Sequence, residues 1–465
     1  MPNIILISLD TTRADHLSCY GYHRLTSPHL DKLASRGVIF DSHFSPHIPT
    51  YPGHTTMMSG KDIYSHRVTG QSGTPEPQNI RLLAEILQQE GYFTVAADNL
   101  GRWFATGFDH IENYKWDSSA KTEMRKGEAV AAAAMRTIDL AAKQDKPFFL
   151  FWHFWDPHTP YLPPKPFDRM FYSGNEKDPS NTSLDEMWEF KAFNRYFAEW
   201  MPEVTDVEFP IAQYDAEIAY MDTCLASLWT HLEDQGLAQD TLIVVTADHG
   251  EELDEHQHWF DHHGLYDTNL HIPLILSCPG LLPCGVRVSG LTQMLDITPT
   301  ILDFLELGNA IESENMQGRS LMPLFENPTS SARGSTDILH ITENTWMKKR
   351  GVRTNNWKYI CPLETPDIHG KSEPELYDLT ADPNEINNIA QDFPQIAKKL
   401  HITMERHVLS RVEETGLPDP LPEQPLPLRQ IGNLETAVPK PDRPIPLGQD
   451  AKLHSGDFIG YVREE

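Results

Sequence analysis

Basic residues are scarce in this sequence of 465 residues. Lys and Arg total 38 against 67 Asp and Glu, which gives a formal net charge of −29. Such a surface repels the phosphates of nucleic acids and anionic lipid headgroups, so we predict neither a nucleic-acid nor a membrane partner. It also repels an anionic substrate at long range. A site for an anion therefore needs positive charge from a local metal ion or histidine.

Long apolar runs and a cysteine framework are also missing. No stretch approaches the length of a membrane-spanning helix, and the N-terminal MPNIILISLD has neither a basic n-region nor a small-residue cleavage site. The five cysteines are odd in number, scattered and without a metal-type repeat, which favours reduced thiols. We therefore expect a cytoplasmic protein. Histidines, by contrast, are abundant, with 22 in the chain and several of them clustered.

Short apolar runs alternate with amphipathic stretches along the chain as far as residue 325. The runs that we predict to be buried strands of a parallel sheet are 4–9, 93–98, 147–154, 241–248 and 273–278. The stretches that we predict to be helices are 29–37, 80–92, 128–144 and 213–236. This alternation predicts an α/β fold with a mainly parallel sheet flanked by helices, in which chemistry gathers at the carboxyl ends of the strands.

The sequence pattern changes after residue 325. The strand-like segments DILHITEN, VRTNNWKYI and ELYDL and a helical stretch over 395–414 predict a small antiparallel sheet with one covering helix. Nine prolines between Pro418 and Pro446 then predict an extended tail that lies on a neighbouring subunit. We therefore predict a catalytic domain over 1–325, a small C-terminal domain over 326–415, and a tail over 416–465 through which a homo-oligomer forms.

Three metal-type ligands follow predicted strands. Asp10 ends the first strand, and Asp248 and His249 end another strongly apolar one. Taken alone, Asp10 is typical of a helix cap, and Asp248 with His249 is typical of a turn. Together they offer two charges and one nitrogen, which neutralise a divalent cation and leave coordination positions open. We predict that these three residues bind a divalent metal ion.

The segment HIPTYPGHTTMMSG (47–60) places Thr50 at the start of a predicted helix. A lone threonine at that position usually caps the helix. A hydroxyl beside a divalent cation, however, has a lowered pKa and becomes a nucleophile. The N-terminal amides of the helix would then stabilise an oxyanion. We predict that Thr50 is both a metal ligand and the nucleophile.

Two histidine-bearing segments follow strands as well. HFWDPHTPYLPP (153–164) is a loop made rigid by prolines, from which Asp156 and His158 project; a packed aromatic loop is the plainer interpretation. HQHWFDHHGLYD (256–267) holds four histidines, for which a histidine-rich surface loop is the plainer interpretation. Because this second segment follows the predicted metal ligands closely, we expect it to supply cationic or proton-donating groups to a leaving oxygen.

Six segments resemble, in order, the sulfatase branch of the alkaline phosphatase superfamily. They span about residues 1–412 and are LDTTRADHLSCYGYHRLTSPHLDKLASRGVIFD, TYPGHTTMMSGKDIYSHRV, DPHTPYLPP, TADHGEEL, QGRSLMPLF and ELYDLTADPNEINNIA. The resemblance implies the alkaline phosphatase-like α/β fold with a small C-terminal sheet domain. It also implies hydrolysis of a sulfate or phosphate ester around a divalent metal.

The same resemblance implies roles for individual residues. The family's metal ligands fall on the three residues predicted above, and its nucleophile falls on Thr50. Its contacts with the substrate oxyanion fall on His54, His158 and His263.

The sequence departs from the sulfatase pattern at the nucleophile. Sulfatases carry Cys or Ser followed by x-Pro-x-Arg, and that Cys or Ser is oxidised to formylglycine; here the segment is TYPGH (50–54). Threonine's β-carbon bears a methyl group, so its oxidation would give a ketone, and we expect no formylglycine. Sulfatases usually have a second carboxylate directly after the first, and here that position is Thr11. They also usually have a Lys near the late Gly, and here that position is His263.

Thr-x-Pro-x-His resembles the nucleophile motif of the Thr-based phosphodiesterases and nucleotide pyrophosphatases of the same superfamily. In that branch the threonine attacks phosphorus directly and forms a phosphothreonine. Phosphoryl transfer depends mostly on positioning and charge neutralisation, whereas a sulfo-threonine ester would need a second hydrolysis step. We therefore predict a metal-dependent hydrolase of small anionic esters, either phosphodiesters or phosphonate monoesters. A sulfatase without formylglycine and an inactive binding protein of the same fold remain as alternatives.

The predicted cofactor is one divalent cation, Mn²⁺ or Zn²⁺ in preference to Ca²⁺. Thr-based diesterases usually hold two ions. A second ion here would need Asp156, His158 and His263, or His262 in place of the last, to converge. The change from Lys to His263 permits this, because a protonated lysine cannot bind a metal, but Asp-Pro-His also occurs in single-metal sulfatases.

Overall fold

The structure is a computed structural model that describes residues 1–71, 77, 79–98, 102–112, 127–330, 338–424 and 426. Most of the tail predicted over 416–465, and with it the predicted role in oligomer formation, lies outside these residues. None of the helices in the described part of the chain is long and apolar enough to cross a membrane.

The described residues form an eight-stranded sheet, a five-stranded sheet and a two-stranded ribbon. The strands are β1 (Asn3–Leu9), β2 (Val38–Phe40), β3 (His43–Phe44), β4 (His47–Ile48), β5 (Phe93–Ala97), β6 (His110–Glu112), β7 (Phe148–Phe154), β8 (Thr241–Thr246), β9 (Leu274–Ser277), β10 (Val286–Val288), β11 (Thr292–Gln293), β12 (Ile338–Asn344), β13 (Lys348–Thr354), β14 (Trp357–Pro362) and β15 (Glu375–Asp378). The α-helices are α1 (Pro28–Ser35), α2 (Thr50–Ser59), α3 (Ile63–His66), α4 (Leu83–Gln89), α5 (Gly127–Ala141), α6 (Asp185–Glu189), α7 (Asn194–Trp200), α8 (Glu208–Asp234), α9 (Asp267–Leu270), α10 (Ile297–Phe304), α11 (Asn309–Ser313), α12 (Pro394–Thr415) and α13 (Pro420–Glu423).

The main sheet has the strand order β10-β2-β9-β8-β1-β7-β5-β6. Neighbouring strands run parallel except at β9, which is antiparallel to both β8 and β2. The predicted α/β class and mainly parallel sheet are confirmed. The prediction that 273–278 forms a parallel strand is wrong in direction, because a short apolar run reports burial but not orientation.

The centre of the main sheet explains why its strands are continuous apolar runs. Every residue of β7 and β8 is buried, as are six of the seven residues of β1. Strands covered by helices on both faces cannot alternate between apolar and polar side chains. The parallel register sets Ser8 beside His153 on one side and Thr246 on the other. The residues that follow these strands therefore emerge together at one edge of the sheet.

The C-terminal sheet has the order β15-β14-β13-β12-β4 and is antiparallel from β15 to β12. Helix α12 packs on β13 and β14, so the predicted small antiparallel sheet with one helix is confirmed. The sheet's last strand, β4, comes from the N-terminal part of the chain and pairs in parallel with β12. His47 Nδ1 lies 2.8 Å from Thr342 Oγ1. Because Thr50 follows β4 closely, the C-terminal sheet anchors the segment that carries it.

Asp267, the first residue of α9, ties the segment after β8 to the C-terminal sheet. Its carboxylate accepts hydrogen bonds from Arg353 Nη2 at 2.9 Å and from the fully buried Lys358 Nζ at 2.5 Å. Burial acts to raise the pKa of this carboxyl, but Arg353 and Lys358 outweigh it and hold the pKa well below its usual range. We expect Asp267→Asn to lower the free energy of unfolding by about 3 kcal/mol at neutral pH, because the fully buried Lys358 and the mostly buried Arg353 lose a charged partner. Lys358 keeps Glu385 at 2.6 Å, which limits the loss.

This stabilisation has a definite dependence on pH. Because the folded pKa of Asp267 is depressed, its contribution is fully present above the unfolded-state pKa of about 3.9 and is lost as the pH falls below it. Denaturant unfolding of the wild type and Asp267→Asn should therefore show a difference in stability that shrinks on acidification. The exposed Asp185→Asn serves as the control and should match the wild type throughout. Equal stability of Asp267→Asn and the wild type at neutral pH would contradict the assignment.

Candidate active site

Asp10, Asp248 and His249 meet at the carboxyl edge of the main sheet. One ligand atom from each lies within 4.8 Å of the others, and all three residues are completely buried. Asp10 follows β1, and Asp248 and His249 follow β8, so the parallel register brings them together. These are the residues predicted from the sequence to bind a metal ion.

The atoms of this group fit a divalent cation. Asp10 Oδ1 and Asp248 Oδ2 accept no hydrogen bond within the part of the chain that the structure describes. His249 Nδ1 lies 2.9 Å from the carbonyl oxygen of Gly250, which assigns the proton to Nδ1 and leaves the Nε2 lone pair 3.2 Å from Asp248 Oδ2. Buried carboxylate oxygens and an imidazole lone pair that face one another need a positive charge between them.

Thr50 points into the same group from the start of α2. Its Oγ1 lies 3.1 Å from His249 Nε2, and the residue is completely buried. Pro49 is the residue that precedes the helix and makes no side-chain capping hydrogen bond within the described chain, while the Thr50 hydroxyl faces His249. The helix can approach this closely because residue 53 is a glycine: a Cβ on Gly53 would lie 3.0 Å from the carbonyl oxygen of Asp248.

The groups predicted to contact a substrate oxyanion from α2 have partners within the protein. His54 Nδ1 lies 3.0 Å from the Thr50 carbonyl oxygen, and its Nε2 lies 3.0 Å from Ser8 Oγ. Burial lowers the pKa of His54, which favours the neutral ring. The first backbone amide after Thr50, that of Tyr51, donates to Gln71 Oε1 at 3.1 Å. The oxyanion role of His54 stays a prediction, and the structure shows this ring joining α2 to β1.

The paired histidines at 262 and 263 point in different directions. The ring of His262 stacks on His249, and the ring of His158 lies beside His262, each with centroids 4.8 Å apart. His263 instead contacts His258, His369 and other residues outside the candidate metal group. The structure therefore brings His158 and His262 close to His249 and turns His263 away from it, and the substrate contacts of His158 and His263 stay predictions.

The group that a second metal ion would need, Asp156 and His158 with His263 or His262, is not found among the metal-type ligand groups of the described residues. Asp156 lies near Cys224 of α8: burial, and then the charge of Asp156, raise the pKa of that thiol to about 12. Within the described residues, two groups of three metal-type ligands are found, and neither contains Asp156 or His158. The proline-fixed loop sends Asp156 towards a helix and His158 towards the candidate site, so the two side chains do not converge.

Sequence reasoning missed His153 and Asp98. His153 lies near the end of β7, with Nε2 3.2 Å from Asp10 Oδ2 and Nδ1 2.9 Å from Asp98 Oδ1. Burial acts to lower the pKa of His153, but its hydrogen bonds with Asp10 and Asp98 raise that pKa to about 10. The ring holds one oxygen of Asp10 and leaves Oδ1 for the metal group. The available signal was a single histidine in the apolar run FFLFWHF, at the carboxyl end of a central strand.

We expect His153→Leu to weaken Mn²⁺ binding by about 10–100-fold, because it removes the hydrogen bond that orients Asp10. Titration calorimetry on metal-free protein measures the change. His66→Leu is the matched control: His66 is also completely buried, but it bonds to Thr56 Oγ1 at 3.0 Å, outside the metal group. An unchanged Mn²⁺ affinity in His153→Leu, with the control also unchanged, would remove His153 from this role.

Known proteins match most of the chain. Residues 2–307 match the family model Sulfatase, and residues 254–410 match the model N-sulphoglucosamine sulphohydrolase, C-terminal. The N-acetylglucosamine-6-O-sulfatase of Bacteroides thetaiotaomicron is 26% identical, over 89% of this chain and 86% of that protein. Arylsulfatase K of Gallus gallus is 25% identical, over 86% and 81% respectively. The crystal structure of the phosphonate monoester hydrolase of Agrobacterium radiobacter superposes with a TM-score of 0.68 at 23% identity, covering 89% of this chain and 96% of that one.

Proposed function

This chain belongs to the sulfatase family, and from that premise we propose that it hydrolyses phosphate-type esters, phosphodiesters or phosphonate monoesters, with Thr50 as the nucleophile. The observation that carries the proposal is the position of the Thr50 hydroxyl, buried and 3.1 Å from His249 Nε2. A threonine there cannot become formylglycine, so its own oxygen is the group available to attack the substrate.

The residues of the site fit a two-step substitution at phosphorus. A divalent cation held by Asp10, Asp248 and His249 would lower the pKa of a neighbouring hydroxyl and neutralise developing charge. Thr50 Oγ1 gives up its proton to solvent and forms a bond to phosphorus as the bond to the leaving oxygen breaks, and the leaving oxygen takes up a proton. A water oxygen then attacks phosphorus and gives up a proton to solvent, and Thr50 Oγ1 leaves and takes up a proton. Each step makes one bond and breaks one at phosphorus.

We assign proton delivery to the leaving oxygen to His262, with His158 beside it. His262 stacks on His249 at 4.8 Å between centroids, and its Nδ1 lies 3.7 Å from Glu251 Oε2. Imidazole is the side chain that most often delivers a proton to a leaving oxygen, and both rings lie beside the candidate metal group. His262 thus takes the role that the sequence gave to His263.

The charge balance of the site favours a substrate with one negative charge. His54 stands where the sulfatase pattern has arginine, and its lowered pKa keeps it neutral. Thr11 stands where the pattern has a second carboxylate, and its backbone N–H donates to Asp248 Oδ1 at 3.3 Å. His263 also stands where the pattern has lysine, so the chain has two cationic side chains and one anionic side chain fewer than the pattern. A phosphodiester or phosphonate monoester carries one charge and needs less neutralisation than a phosphate monoester.

A second candidate function is sulfate ester hydrolysis without formylglycine. It is favoured by the names of the curated relatives, an N-acetylglucosamine-6-O-sulfatase and arylsulfatase K. The fold neighbour is named a phosphonate monoester hydrolase, which is consistent with the first candidate. Direct attack by Thr50 on sulfur would leave a sulfo-threonine that a further hydrolysis must remove, so we place phosphorus esters first.

The test is a side-by-side assay of the Mn²⁺-loaded protein on an aryl sulfate, an aryl phosphate, a diaryl phosphate and an aryl phosphonate monoester. We expect the highest kcat/KM on the diester or the phosphonate. Acid quench during turnover, followed by peptide mass spectrometry, should find the phosphoryl adduct on the peptide that contains Thr50. The highest kcat/KM on the sulfate would establish the second candidate, and no turnover of any ester would support a binding protein.

A further inference from the structure

Three more histidines converge outside the candidate active site. His258 and His263 come from the loop after β8, and His369 comes from the segment between β14 and β15. One ring nitrogen from each lies within 4.8 Å of the others. The Nε2 atoms of His263 and His369 are 2.8 Å apart, and the rings of His258 and His369 have centroids 4.1 Å apart.

We propose that His258, His263 and His369 form a second metal site that binds Zn²⁺ or a similar transition-metal ion. Imidazole nitrogen is a preferred ligand of zinc, copper, nickel and iron, whereas Mn²⁺ and Ca²⁺ prefer oxygen. This site is independent of the proposed ester hydrolysis, since it shares no residue with Asp10, Asp248 and His249.

The state of His258 is the strongest support. Its Nδ1 lies 3.1 Å from the carbonyl oxygen of His263, which assigns the proton to Nδ1 and leaves a lone pair on Nε2. Nε2 has no hydrogen-bond partner within the described chain, and the side chain is only 1% exposed. A buried nitrogen without a partner is unfavourable by about 1–3 kcal/mol. A metal ion bound to Nε2 would satisfy it.

His263 lies beside a buried carboxylate. Its Nδ1 is 3.5 Å from Asp261 Oδ1 and has no hydrogen-bond partner within the described residues. Asp261 is itself held by Trp346 Nε1 at 3.1 Å and by the backbone N–H of His262 at 2.7 Å. The nearby carboxylate favours the tautomer with its proton on Nδ1, which leaves the lone pair on Nε2, the nitrogen that faces His369.

The spacing of the rings suits tetrahedral coordination. Two Zn–N bonds of about 2.0–2.1 Å at a tetrahedral angle set their nitrogens about 3.3 Å apart. The Nε2 atoms of His263 and His369 are 2.8 Å apart, and one nitrogen from each of the three rings lies within 4.8 Å of the others. Small ring movements would therefore reach that geometry. A single hydrogen bond between His263 and His369 would explain their 2.8 Å contact, but it would leave Nε2 of His258 without a partner.

The surroundings of His258 favour the neutral ring, which is the form that binds a metal. Burial, followed by the neighbouring histidines and by Lys371 and Lys349, holds the pKa of His258 well below its usual value. The two lysines do not stand alone: Lys349 pairs with Asp367 at 3.0 Å and Glu375 at 3.3 Å, and Lys371 lies 3.9 Å from Glu375. The nearby positive charge is therefore largely balanced.

An ion at this position would fasten the histidine-rich loop to the C-terminal sheet. His369 belongs to that sheet's long connection, and its ring also stacks on Phe190 at 4.9 Å. His262, which lies against the candidate active site, is the direct neighbour of His263 in the chain. The ion would thus limit movement of the loop that positions His262.

The test counts ions in the full chain after chelator treatment and reloading with Zn²⁺. We expect two ions in the wild type, one in His369→Gln, one in Asp248→Asn and none in the double variant, by elemental analysis. Co²⁺ in place of Zn²⁺ should give the visible absorption of a histidine-rich site in Asp248→Asn, and this absorption should be lost when His369→Gln is added. Chelation should lower the Tm of Asp248→Asn and leave that of the double variant unchanged.

His407→Gln is the matched control. His407 is partly buried, like His369, and stacks on another histidine, His340, with centroids 3.6 Å apart. It should bind two ions. Two ions in His369→Gln would overturn the proposal, as would a wild type with one ion that Asp248→Asn removes entirely. Failure of the ester assays would not alter these counts, so the two proposals fail separately.

Discussion

We expect Thr50→Ala to lower kcat/KM of the Mn²⁺-loaded protein for its best phosphorus ester by at least about a thousandfold. The Thr50 hydroxyl is completely buried and lies 3.1 Å from His249 Nε2, at the edge of the group that fits a divalent cation. Alanine leaves water as the attacking group, without the fixed position that α2 gives to Thr50. Mn²⁺ binding should persist, because Asp10, Asp248 and His249 remain.

Two further variants separate the chemistry of Thr50 from its packing. Thr50→Val keeps the branched shape and removes the hydroxyl, so it should lose activity as Thr50→Ala does. Thr50→Ser keeps the hydroxyl and should retain activity within about a hundredfold, with the phosphoryl adduct moved to serine. Thr50→Val with activity close to that of the wild type would show that another group attacks the substrate. The thermal stability of Thr50→Val should match the wild type and exclude unfolding as the cause.

The sequence predicted best those strands whose burial can be recognised from the residues of one segment alone. The runs that became β1, β7 and β8 are long and apolar because both faces of these strands are buried. The direction of β9 carries no such signal, because it depends on which neighbours the strand meets. The placement of β4 in the C-terminal sheet is a contact between residues nearly 300 positions apart, and a two-residue strand has no periodicity to reveal it.

The residues of the candidate site likewise include some whose positions follow from the sequence and some whose positions depend on tertiary contacts. Asp10, Asp248 and His249 lie at the carboxyl ends of central strands, so the register brings them together. Loops have no comparable rule, because adjacent side chains can point to opposite sides. The choice between His262 and His263 is therefore decided by tertiary contacts, as is the separation of Asp156 from His158. His153 was missed because it lies inside an apolar strand.

We expect Asp248→Asn to lose most of the stabilisation that Mn²⁺ gives the wild type. In the wild type, Mn²⁺ at about a thousand times its Kd adds about 4.1 kcal/mol to the free energy of unfolding. Loss of a charged ligand should weaken binding by more than the tenfold to hundredfold typical of outer-shell changes. A hundredfold weaker Kd at the same Mn²⁺ concentration leaves about 1.4 kcal/mol. Denaturant unfolding with and without Mn²⁺ measures both increments, and turnover should fall with the loss of metal.

Without metal, we expect Asp248→Asn to be at least as stable as the wild type. In the wild type, Asp248 Oδ2 lacks a hydrogen-bond partner within the described chain and faces the assigned lone pair of His249 Nε2 at 3.2 Å. An asparagine amide placed there can donate to that nitrogen, while its oxygen keeps the backbone N–H bonds of Thr11 and His249. Metal-free Asp248→Asn should therefore be at least as stable as the metal-free wild type.

A second buried carboxylate supplies the control for this prediction. Asp222 is 1% exposed and accepts backbone N–H bonds from His29 and Leu30 at 2.9 Å, so Asp222→Asn should keep the full Mn²⁺ increment. If Mn²⁺ stabilised Asp248→Asn as much as the wild type, the ion would bind elsewhere, and His369→Gln would show whether the three-histidine site holds it. The contradicting outcome is a metal-free Asp248→Asn that is less stable than the metal-free wild type. It would mean that His249 is protonated and forms an ion pair with Asp248, so that the buried carboxylate would need no metal cation.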